Sequence, residues 1–372
     1  MRRFFALLLL CVAVVSLRAA ATVKVGVLLP LKEQTARGTT MVEFYRGLLM
    51  AVDAVKVEGT NVEVTAIDCG SSETSLCQAL QTPALQQLDV LFGPVDAVQV
   101  TTLSEFCRQH GIRMVLPFNT PCPQVYSNPW VYQVGVAQEL LYPGISNLVM
   151  EHLANSNFVM MHTGETDSRA QSFVEHLGQV LELRGMQTTH LNVNADEFAY
   201  DRALNQFRNN VVVPDSRSQA ALTQMLTGLK AYQQKYPQYK VTLLGYPEWL
   251  TYTRSLLKDF YQYDTHVFSA YYRNPLSGRV ARFEQTYQAH YGQASRVSYP
   301  RAEMLGYDLA YYFLHGIAAL GTAFEEQQST LAQQPLQHTF RFQRVGGSEG
   351  GFVNLNVLMV HYTPNNTIQL EK

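Results

Sequence analysis

Short apolar runs alternate with amphipathic segments along most of the chain. The run VGVLLPL at residues 25–31 has no polar alternation, which predicts a strand buried on both faces. Similar runs recur as DVLFGP, IRMVLPF, NFVMMHT, NNVVVPDS and KVTLLGY, and segments with helical spacing of apolar positions lie between them. Strands that alternate with helices predict βαβ units and parallel sheets that are covered on both faces.

The number of predicted strands is larger than one modest sheet would hold. We therefore expect two doubly wound lobes, with the break near NPWVYQVG. At 372 residues, the chain is long enough for each lobe to have its own core. The tail, FRFQRV…FVNLNVLMVHY, alternates apolar and polar residues, which predicts an antiparallel hairpin.

The first 21 residues form a separate segment. Two arginines precede an apolar run from Phe4 to Leu17, and small residues follow in RAAATV. This arrangement is typical of a secretory signal peptide, and we expect cleavage near Ala21. The apolar run is shorter than the stretch of about 20 residues that spans a bilayer, and we expect no membrane span after cleavage.

Cleavage removes three arginines and no acid, so the formal net charge changes from −2 to −5. No basic tract remains, which argues against nucleic acid as a partner.

Motifs for catalysis, metal binding and phosphate binding are absent from the sequence. The ten histidines form neither H-E-x-x-H nor a Cys/His cluster with metal-ligand spacing. No G-x-S-x-G segment occurs, and the loop PLKEQTARG lacks the glycine-rich spacing that cradles a phosphate. We therefore expect no enzymatic activity, no cofactor and no metal site.

The order of the segments resembles that of type I periplasmic binding proteins, especially the branched-chain amino-acid receptors of ABC importers. VGVLLPL, RGLLMAVDAV, DVLFGP and IRMVLPF carry the resemblance in the first half, and GYPEW, FEQTYQAHYG and MLGYDLAYYFL carry it later. It implies an α/β fold with two doubly wound parallel-sheet lobes, joined by three crossovers near Val134, Tyr272 and Leu331. The implied ranges are 1–21 for the signal peptide, 22–134 plus 272–330 for lobe one, and 135–271 plus 331–372 for lobe two.

The resemblance implies two alternative functions. The first is an extracytoplasmic solute-binding protein of the periplasm or cell envelope, which captures an amino acid or a peptide-like ligand between the lobes for an ABC permease. The second is a non-transport envelope protein that regulates or scaffolds cell-wall metabolism and has a cell-wall assembly protein as its partner. A cleft blocked by its own aromatic side chains, Tyr271 and Trp249 among them, would favour the second function.

Candidate ligand-binding residues follow the strand ends, because ligands of open α/β sheets bind there. The expected set is Leu31, Lys32, Asp96, Ala97, Asn119, Thr120, Thr163, Glu248, Trp249 and Tyr271. By resemblance, Glu248 falls where the amino-acid receptors have an acid that pairs with the ammonium of the ligand. Trp249 beside it would form an aromatic wall. Asp96, in contrast, replaces a serine-rich segment and would repel a carboxylate.

Four cysteines follow the signal peptide, namely Cys69, Cys77, Cys107 and Cys122. Helix rise places Cys107 roughly 15 Å from the sheet edge to which Cys122 returns, whereas a disulfide tolerates Cα atoms no more than about 7 Å apart. The strand order that the resemblance implies also separates Cys122 from Cys69. We therefore expect a Cys69–Cys77 disulfide, with Cys107 buried and free. The alternative is that all four are reduced and packed as small apolar side chains.

Overall fold

Two seven-stranded sheets organise the protein in a computed structural model that describes residues 22–371. The predicted signal peptide, residues 1–21, lies outside the described residues. Within residues 22–371, no helix has both the length and the apolar character that a membrane crossing requires.

The helices and strands alternate from the start of the described chain. The first group comprises β1 (Val23–Leu29), α1 (Ala36–Val57), β2 (Val62–Asp68), α2 (Glu73–Ala79), β3 (Val90–Phe92), α3 (Ala97–His110), β4 (Arg113–Leu116) and β5 (Val131–Gln133). The second group comprises α4 (Tyr142–Leu153), β6 (Asn157–His162), α5 (Ser168–Leu183), β7 (Thr188–Asn192), α6 (Glu197–Ala203), β8 (Asn210–Pro214), α7 (Gln219–Lys235), β9 (Val241–Gly245), α8 (Thr253–Gln262) and β10 (Thr265–Ser269). The third group comprises α9 (Gly278–Tyr291), α10 (Ala302–Leu320), α11 (Phe324–Gln327), β11 (Phe342–Arg344), β12 (Phe352–Asn354), β13 (Leu358–Thr363) and β14 (Thr367–Glu371).

The strand order confirms the predicted fold class. The first sheet has the order β11-β12-β5-β4-β3-β1-β2, and the second has the order β14-β13-β10-β9-β8-β6-β7. Parallel pairs dominate both sheets, and antiparallel pairs occur only where β11, β13 and β14 join among the described strands. Helices flank both sheets, so the protein has two doubly wound α/β lobes.

Helices α1 and α10 pack against each other at a short backbone distance in the first lobe. A Cβ atom added at Gly306 would overlap the carbonyl oxygen of Phe44, and one added at Gly47 would overlap that of Glu303. Glycine at these two positions therefore permits the close approach. The contact fixes α10 on the first lobe. The buried Asp308 of α10 accepts a hydrogen bond from the backbone N–H of Leu336, which lies in the segment beside the hinge.

Three connections join the lobes. The strand register places them at the carboxyl edge of each sheet, where the parallel strands end. β5 ends at Gln133, which lies opposite Val353 of the parallel strand β12, so both strands leave the first sheet at its carboxyl edge. β13 begins at Leu358, opposite Ser269, the last residue of β10. The chain thus passes between carboxyl edges each time, and these two edges face each other across a cleft.

The third connection lies further along the chain than the resemblance implies. Residues 342–354 contain β11 and β12 of the first sheet, although the range 331–372 is expected in lobe two. The chain therefore crosses between Asn354 and Leu358 rather than near Leu331. Alternation of apolar and polar residues correctly predicts antiparallel pairing of β11 with β12. However, alternation does not specify which sheet receives the pair.

All four cysteines within residues 22–371 are free thiols, so the predicted Cys69–Cys77 disulfide is not formed. Cys69 is fully buried, with its sulfur 3.8 Å from Oε1 of Gln99, whereas Cys77 is exposed on α2. Burial raises the pKa of the Cys69 thiol to about 12, which disfavours the thiolate that disulfide formation requires. Cys107 and Cys122 are also buried. The alternative is therefore confirmed for the reduced state of all four cysteines, but its packing holds only for Cys69, Cys107 and Cys122, because Cys77 is exposed.

Candidate functional site

The facing carboxyl edges carry two clusters of polar side chains. We define the second-lobe cluster by the residues that follow β6, β8 and β9, namely Thr163, Glu165, Asp167, Asp215, Ser216, Arg217 and Glu248. We define the first-lobe cluster by the residues that follow β1, β2 and β3, namely Lys32, Glu33, Arg37, Asp68 and Asp96.

Arg217 is the centre of the second-lobe cluster. Its Nε lies 2.9 Å from Oδ2 of Asp167, and its Nη1 lies 2.5 Å from Oε1 of Glu248. Although burial opposes ionisation, hydrogen bonds from Arg217 hold the pKa of Asp167 below its usual value. The second oxygen of Glu248, Oε2, is enclosed and has no hydrogen-bond partner among the described residues. Glu248 therefore has one carboxylate oxygen without a hydrogen bond, although this atom is enclosed in the present side-chain conformation.

Asp215 organises the other half of the second-lobe cluster. Its Oδ1 accepts hydrogen bonds from the backbone N–H of Thr163 at 2.8 Å and from the Thr163 hydroxyl at 2.7 Å. Its Oδ2 lies 3.1 Å from Nδ1 of His162. Next to it, the Ser216 hydroxyl donates to Oε2 of Glu165 at 2.5 Å. These bonds fix the loops after β6 and β8 against each other.

The first-lobe cluster contains an ion pair that the sequence did not reveal. Nη2 of Arg37, at the start of α1, lies 2.7 Å from Oδ2 of Asp96, which precedes α3. The side-chain hydrogen bond to Asp96 raises the pKa of Arg37. Beside this pair, the backbone N–H of Lys32 donates to Oδ1 of Asp68 at 3.3 Å, and the Lys32 side chain is exposed. The negative charge of Asp96 is thus partly neutralised within the lobe.

The remaining first-lobe candidates differ in how accessible they are. Asn119 and Ala97 are exposed at the carboxyl edge. Thr120 is buried, and its hydroxyl donates to the carbonyl oxygen of Val95 at 3.3 Å. Leu31 is partly buried and packs against the apolar core of the lobe. Of these four candidates, only Asn119 and Ala97 therefore have exposed side chains at this edge.

Trp249 does not form the aromatic wall that the sequence suggests. Its side chain is fully buried in the core of the second lobe, where its ring stacks on Phe260 with centroids 6.0 Å apart. A Cβ atom added at Gly245 would overlap the indole, so the ring lies directly beneath the end of β9. The cause is the 3₁₀ turn Pro247–Thr251, which exposes Glu248 and turns the next side chain inward.

Tyr271 lies in the connection that follows β10. Its ring packs against Tyr299 and His338, at centroid distances of 5.1 and 5.0 Å. Burial raises the pKa of Tyr271, and the charge of Glu248 raises it further. The structure therefore places Tyr271 in an aromatic cluster beside the connections, while it removes Trp249 from the cleft.

Sequence reasoning missed Arg217 and Asp215, although the signal was present. Both follow the apolar run VVVP of β8 in the segment PDSRS. The rule that ligands bind beyond the carboxyl ends of strands applies to β8 as it does to β6 and β9. Applied to every strand of the sheet, the rule would have included both residues.

Acidic groups outnumber basic groups at the two edges. The second-lobe cluster has Glu165, Asp167, Asp215 and Glu248 against Arg217, and the first-lobe cluster has Glu33, Asp68 and Asp96 against Lys32 and Arg37. Within residues 22–371, no hydrogen bond or ion pair joins the two clusters. Both clusters therefore carry a net negative charge, which favours a cationic over an anionic group beside them.

A separate concave surface lies beside the connections. It is a cavity of about 480 Å³, lined on one side by Leu250 and Tyr362 of the second lobe and on the other by Tyr299 and Arg301. Tyr299 also packs against the core of the second lobe, so the cavity lies on the side of the connections that this lobe forms.

Comparisons with known proteins agree with this architecture. Residues 22–335 match the family model described as periplasmic binding protein. A protein from Rhodospirillum rubrum, described as a branched-chain amino acid ABC transporter, has a similar structure with a TM-score of 0.63 and 13% identity, covering 94% of this chain and 100% of its own.

Two further solved structures have the same fold. A branched-chain amino acid ABC transporter periplasmic ligand-binding protein from Burkholderia xenovorans has a TM-score of 0.53 and 12% identity, with 94% of each chain covered. An ABC transporter substrate-binding protein from Sphaerobacter thermophilus has a TM-score of 0.51 and 15% identity, with 94% of this chain and 96% of the other covered. No curated protein matches the chain significantly in sequence. On the family match over residues 22–335, the chain belongs to the periplasmic binding protein family.

Proposed function

We propose that this protein binds a small ligand with a cationic group, an amino acid or a peptide-like molecule, in the cleft between its lobes. Support comes from the register of the three connections, which makes the carboxyl edges of both sheets face each other. A ligand in that position contacts both lobes at once. Such a ligand favours lobe closure, because only the closed state offers both sets of contacts.

Glu248 binds the cationic group of the ligand in this proposal. Its Oε2 has no hydrogen-bond partner among the described residues. This oxygen is enclosed, so a rotation of the half-exposed side chain would bring it to the ligand, where an ammonium would form a charge-assisted hydrogen bond with it. Arg217 already occupies Oε1 of Glu248 and so leaves one oxygen for this purpose.

The first lobe favours a ligand whose other end is uncharged. Helix N-termini bind carboxylates in many proteins, but α3 begins after Asp96, whose charge opposes a carboxylate there. Arg37 offsets this charge only in part because Glu33 and Asp68 lie nearby. An amide or a peptide-like group, which can accept and donate hydrogen bonds, fits this edge better than a free carboxylate.

Delivery to an ABC importer in the periplasm completes the proposal. The family match supports an extracytoplasmic location. The similar proteins from Rhodospirillum rubrum and Sphaerobacter thermophilus are described as ABC transporter proteins. The burial of Trp249 removes one of the side chains that would block the cleft.

A thermal-shift screen of the chain after residue 21 tests the proposal. The compounds are free amino acids, amino-acid amides, dipeptides, sugars and muropeptides, and a ligand that binds only the native state raises Tm. The variant Glu248→Gln keeps the shape but loses the charge, so we expect about ten- to a hundredfold weaker binding. Glu175→Gln, an exposed position on α5, is the matched control. A screen without any shift, or equal affinity in Glu248→Gln, would contradict the proposal.

A further inference from the structure

Three metal-ligating side chains meet in the second lobe, at the edge opposite the cleft. His266 lies near the start of β10, His361 on β13 and Glu371 at the end of β14. The antiparallel register places His266 opposite His361 and places Glu371 opposite Met359, two residues away. One ligand atom from each of the three lies within 4.8 Å of the others. Sequence spacing could not indicate this group, because each residue comes from a different strand.

Asp264 holds both histidines, whose rings stack with centroids 3.8 Å apart. The Nε2 of His361 lies 2.7 Å from Oδ1 of Asp264, and the Nδ1 of His266 lies 3.0 Å from its carbonyl oxygen. A carbonyl oxygen and a carboxylate oxygen only accept, so these two nitrogens carry protons. The other nitrogens, Nε2 of His266 and Nδ1 of His361, are directed to Glu371. Hydrogen bonds of this kind orient histidine ligands in metalloproteins.

Glu371 supplies the second, independent observation. Its Oε2 is buried and has no hydrogen-bond partner among the described residues, which is uncommon for a carboxylate oxygen. This atom lies 3.7 Å from Nε2 of His266 and 3.6 Å from Nδ1 of His152, a residue near the end of α4. The ligand atoms of a tetrahedral zinc site lie about 3.3 Å apart, given bonds of about 2.0–2.1 Å. The two distances from Oε2 exceed that value by only about 0.3–0.4 Å, and the stacked rings of His266 and His361 must turn toward each other for both nitrogens to reach one ion.

We propose that His266, His361 and Glu371 bind a divalent transition-metal ion such as Zn²⁺, with His152 within reach of the fourth position. Imidazole nitrogen and carboxylate oxygen are ligands that suit Zn²⁺. The proton between Nδ1 of His361 and Oε1 of Glu371, which are 2.8 Å apart, is released when the metal binds. The ion ties β14 and α4 to the β10–β13 pair and leaves the cleft free, so its role is structural.

Titration of untagged, chelator-treated protein with ZnCl₂ in a calorimeter tests the site. We expect one ion per chain and at least tenfold weaker binding in His266→Gln and in Glu371→Gln. Asp264→Ala, which removes the side-chain acceptor that orients His361, is expected to weaken binding about 10- to 100-fold. His110→Gln, an exposed position on α3, is the matched control and should bind like the wild type.

A second measurement needs no variant. CoCl₂ added to the wild type should give the intense visible absorption of a tetrahedral cobalt centre, and ZnCl₂ should remove it. Absence of stoichiometric Zn²⁺ binding, a Co²⁺ spectrum identical to that in buffer, or unchanged affinity in folded His266→Gln and Glu371→Gln would overturn the proposal. None of these results depends on a ligand in the cleft, so they are independent of the proposed solute binding.

Discussion

Arg217 and Glu248 form an ion pair at the carboxyl edge of the second sheet, with Nη1 of the arginine 2.5 Å from Oε1 of the glutamate. Both residues lie in loops that face the first lobe. In the proposed binding mode, the pair contributes to the electrostatic potential that the ligand meets in the cleft. Because Arg217 neutralises part of the acidic cluster, it would then limit the affinity for a cation.

Replacement of Arg217 should strengthen the binding of a cationic ligand. In Arg217→Gln the positive charge is lost while Glu248 and Asp167 remain, so we expect about tenfold tighter binding of the cationic compound found in the screen. Isothermal titration at low and at high salt measures the effect, which should shrink as salt increases. Arg254→Gln, an exposed position on α8, serves as the control. Weaker binding in Arg217→Gln would show that the arginine itself contacts the ligand.

Gly306→Ala should destabilise the first lobe. The new methyl group overlaps the backbone of Phe44, so α1 and α10 must move apart, at a cost of about 1–3 kcal/mol. Gly178→Ala on α5 is a control with the opposite sign. No atom lies within 4 Å of that position, and alanine should stabilise the helix by roughly 0.5–1 kcal/mol. Urea denaturation of both variants measures the difference, and equal stability of the two would exclude the close packing of α1 with α10.

Asp308→Asn should loosen the segment beside the hinge. The buried carboxylate accepts the backbone N–H groups of Leu336, Gln337 and His338 at 2.7, 2.8 and 2.8 Å. An amide group cannot accept all three, so at least one donor stays unsatisfied and the free energy of unfolding should fall by about 1–3 kcal/mol. Hydrogen exchange of residues 336–338 should increase in this variant. Asp53→Asn, an exposed position on α1, should change neither quantity.

His338 should make the protein less stable in acid. Oε1 of Gln337 accepts from the N–H of Arg301, so its amide nitrogen donates to Nδ1 of His338 and keeps that ring neutral. Burial lowers the pKa of His338 to about 3. The unfolded chain, with a histidine pKa of about 6.5, binds the proton more readily. The contribution of neutral, buried His338 to the free energy of unfolding is therefore complete above about pH 6.5. It is lost progressively as the pH falls toward 3.

The variant His338→Gln isolates this effect. Between pH 7 and about 4.5, the wild type should lose about 2 kcal/mol more stability than the variant, because glutamine does not titrate. Chemical denaturation at several pH values gives both curves, and His110→Gln should follow the wild type. Parallel curves for the wild type and His338→Gln would mean that His338 can be protonated in the folded state.

Thiol reactivity distinguishes the exposed cysteine from the buried ones. In the native chain after residue 21, we expect Cys77 to react rapidly with a disulfide reagent, because it is exposed. Cys69, Cys107 and Cys122 should react only after unfolding, since burial raises the pKa of all three thiols. If Cys69 and Cys77 reacted in the unfolded chain only after a reductant was added, the predicted Cys69–Cys77 disulfide would be present after all.

Long apolar runs in the sequence predicted strands correctly. The rule that ligand-binding residues follow strand ends predicted which residues lie at the carboxyl edges. The runs VGVLLPL and KVTLLGY became β1 and β9, and Glu248 lies at the carboxyl edge as expected. Trp249 was misplaced because a short 3₁₀ turn changes which side chain points inward. The assignment of β11 and β12 failed because β5, which joins β12 to the first sheet, is some two hundred residues earlier. His266, His361 and Glu371 could not be grouped without the register of three strands.

The link between Asn354 and Leu358 is short, so it holds the two lobes together beside β12 and β13. If one lobe rotates relative to the other, this point is the pivot, and each strand moves in proportion to its distance from it. At about 4.8 Å per strand, β4 and β9 lie about 10 Å from the pivot, and β1 and β6 lie about 19 Å from it. A given rotation therefore moves the loops after β1 and β6 about twice as far as those after β4 and β9. In the proposed closure, Glu248, in the loop after β9, would therefore move about half as far as Thr163, in the loop after β6. The end of the ligand that lies beside Thr163 would then have more influence than the end beside Glu248 on how completely the lobes close.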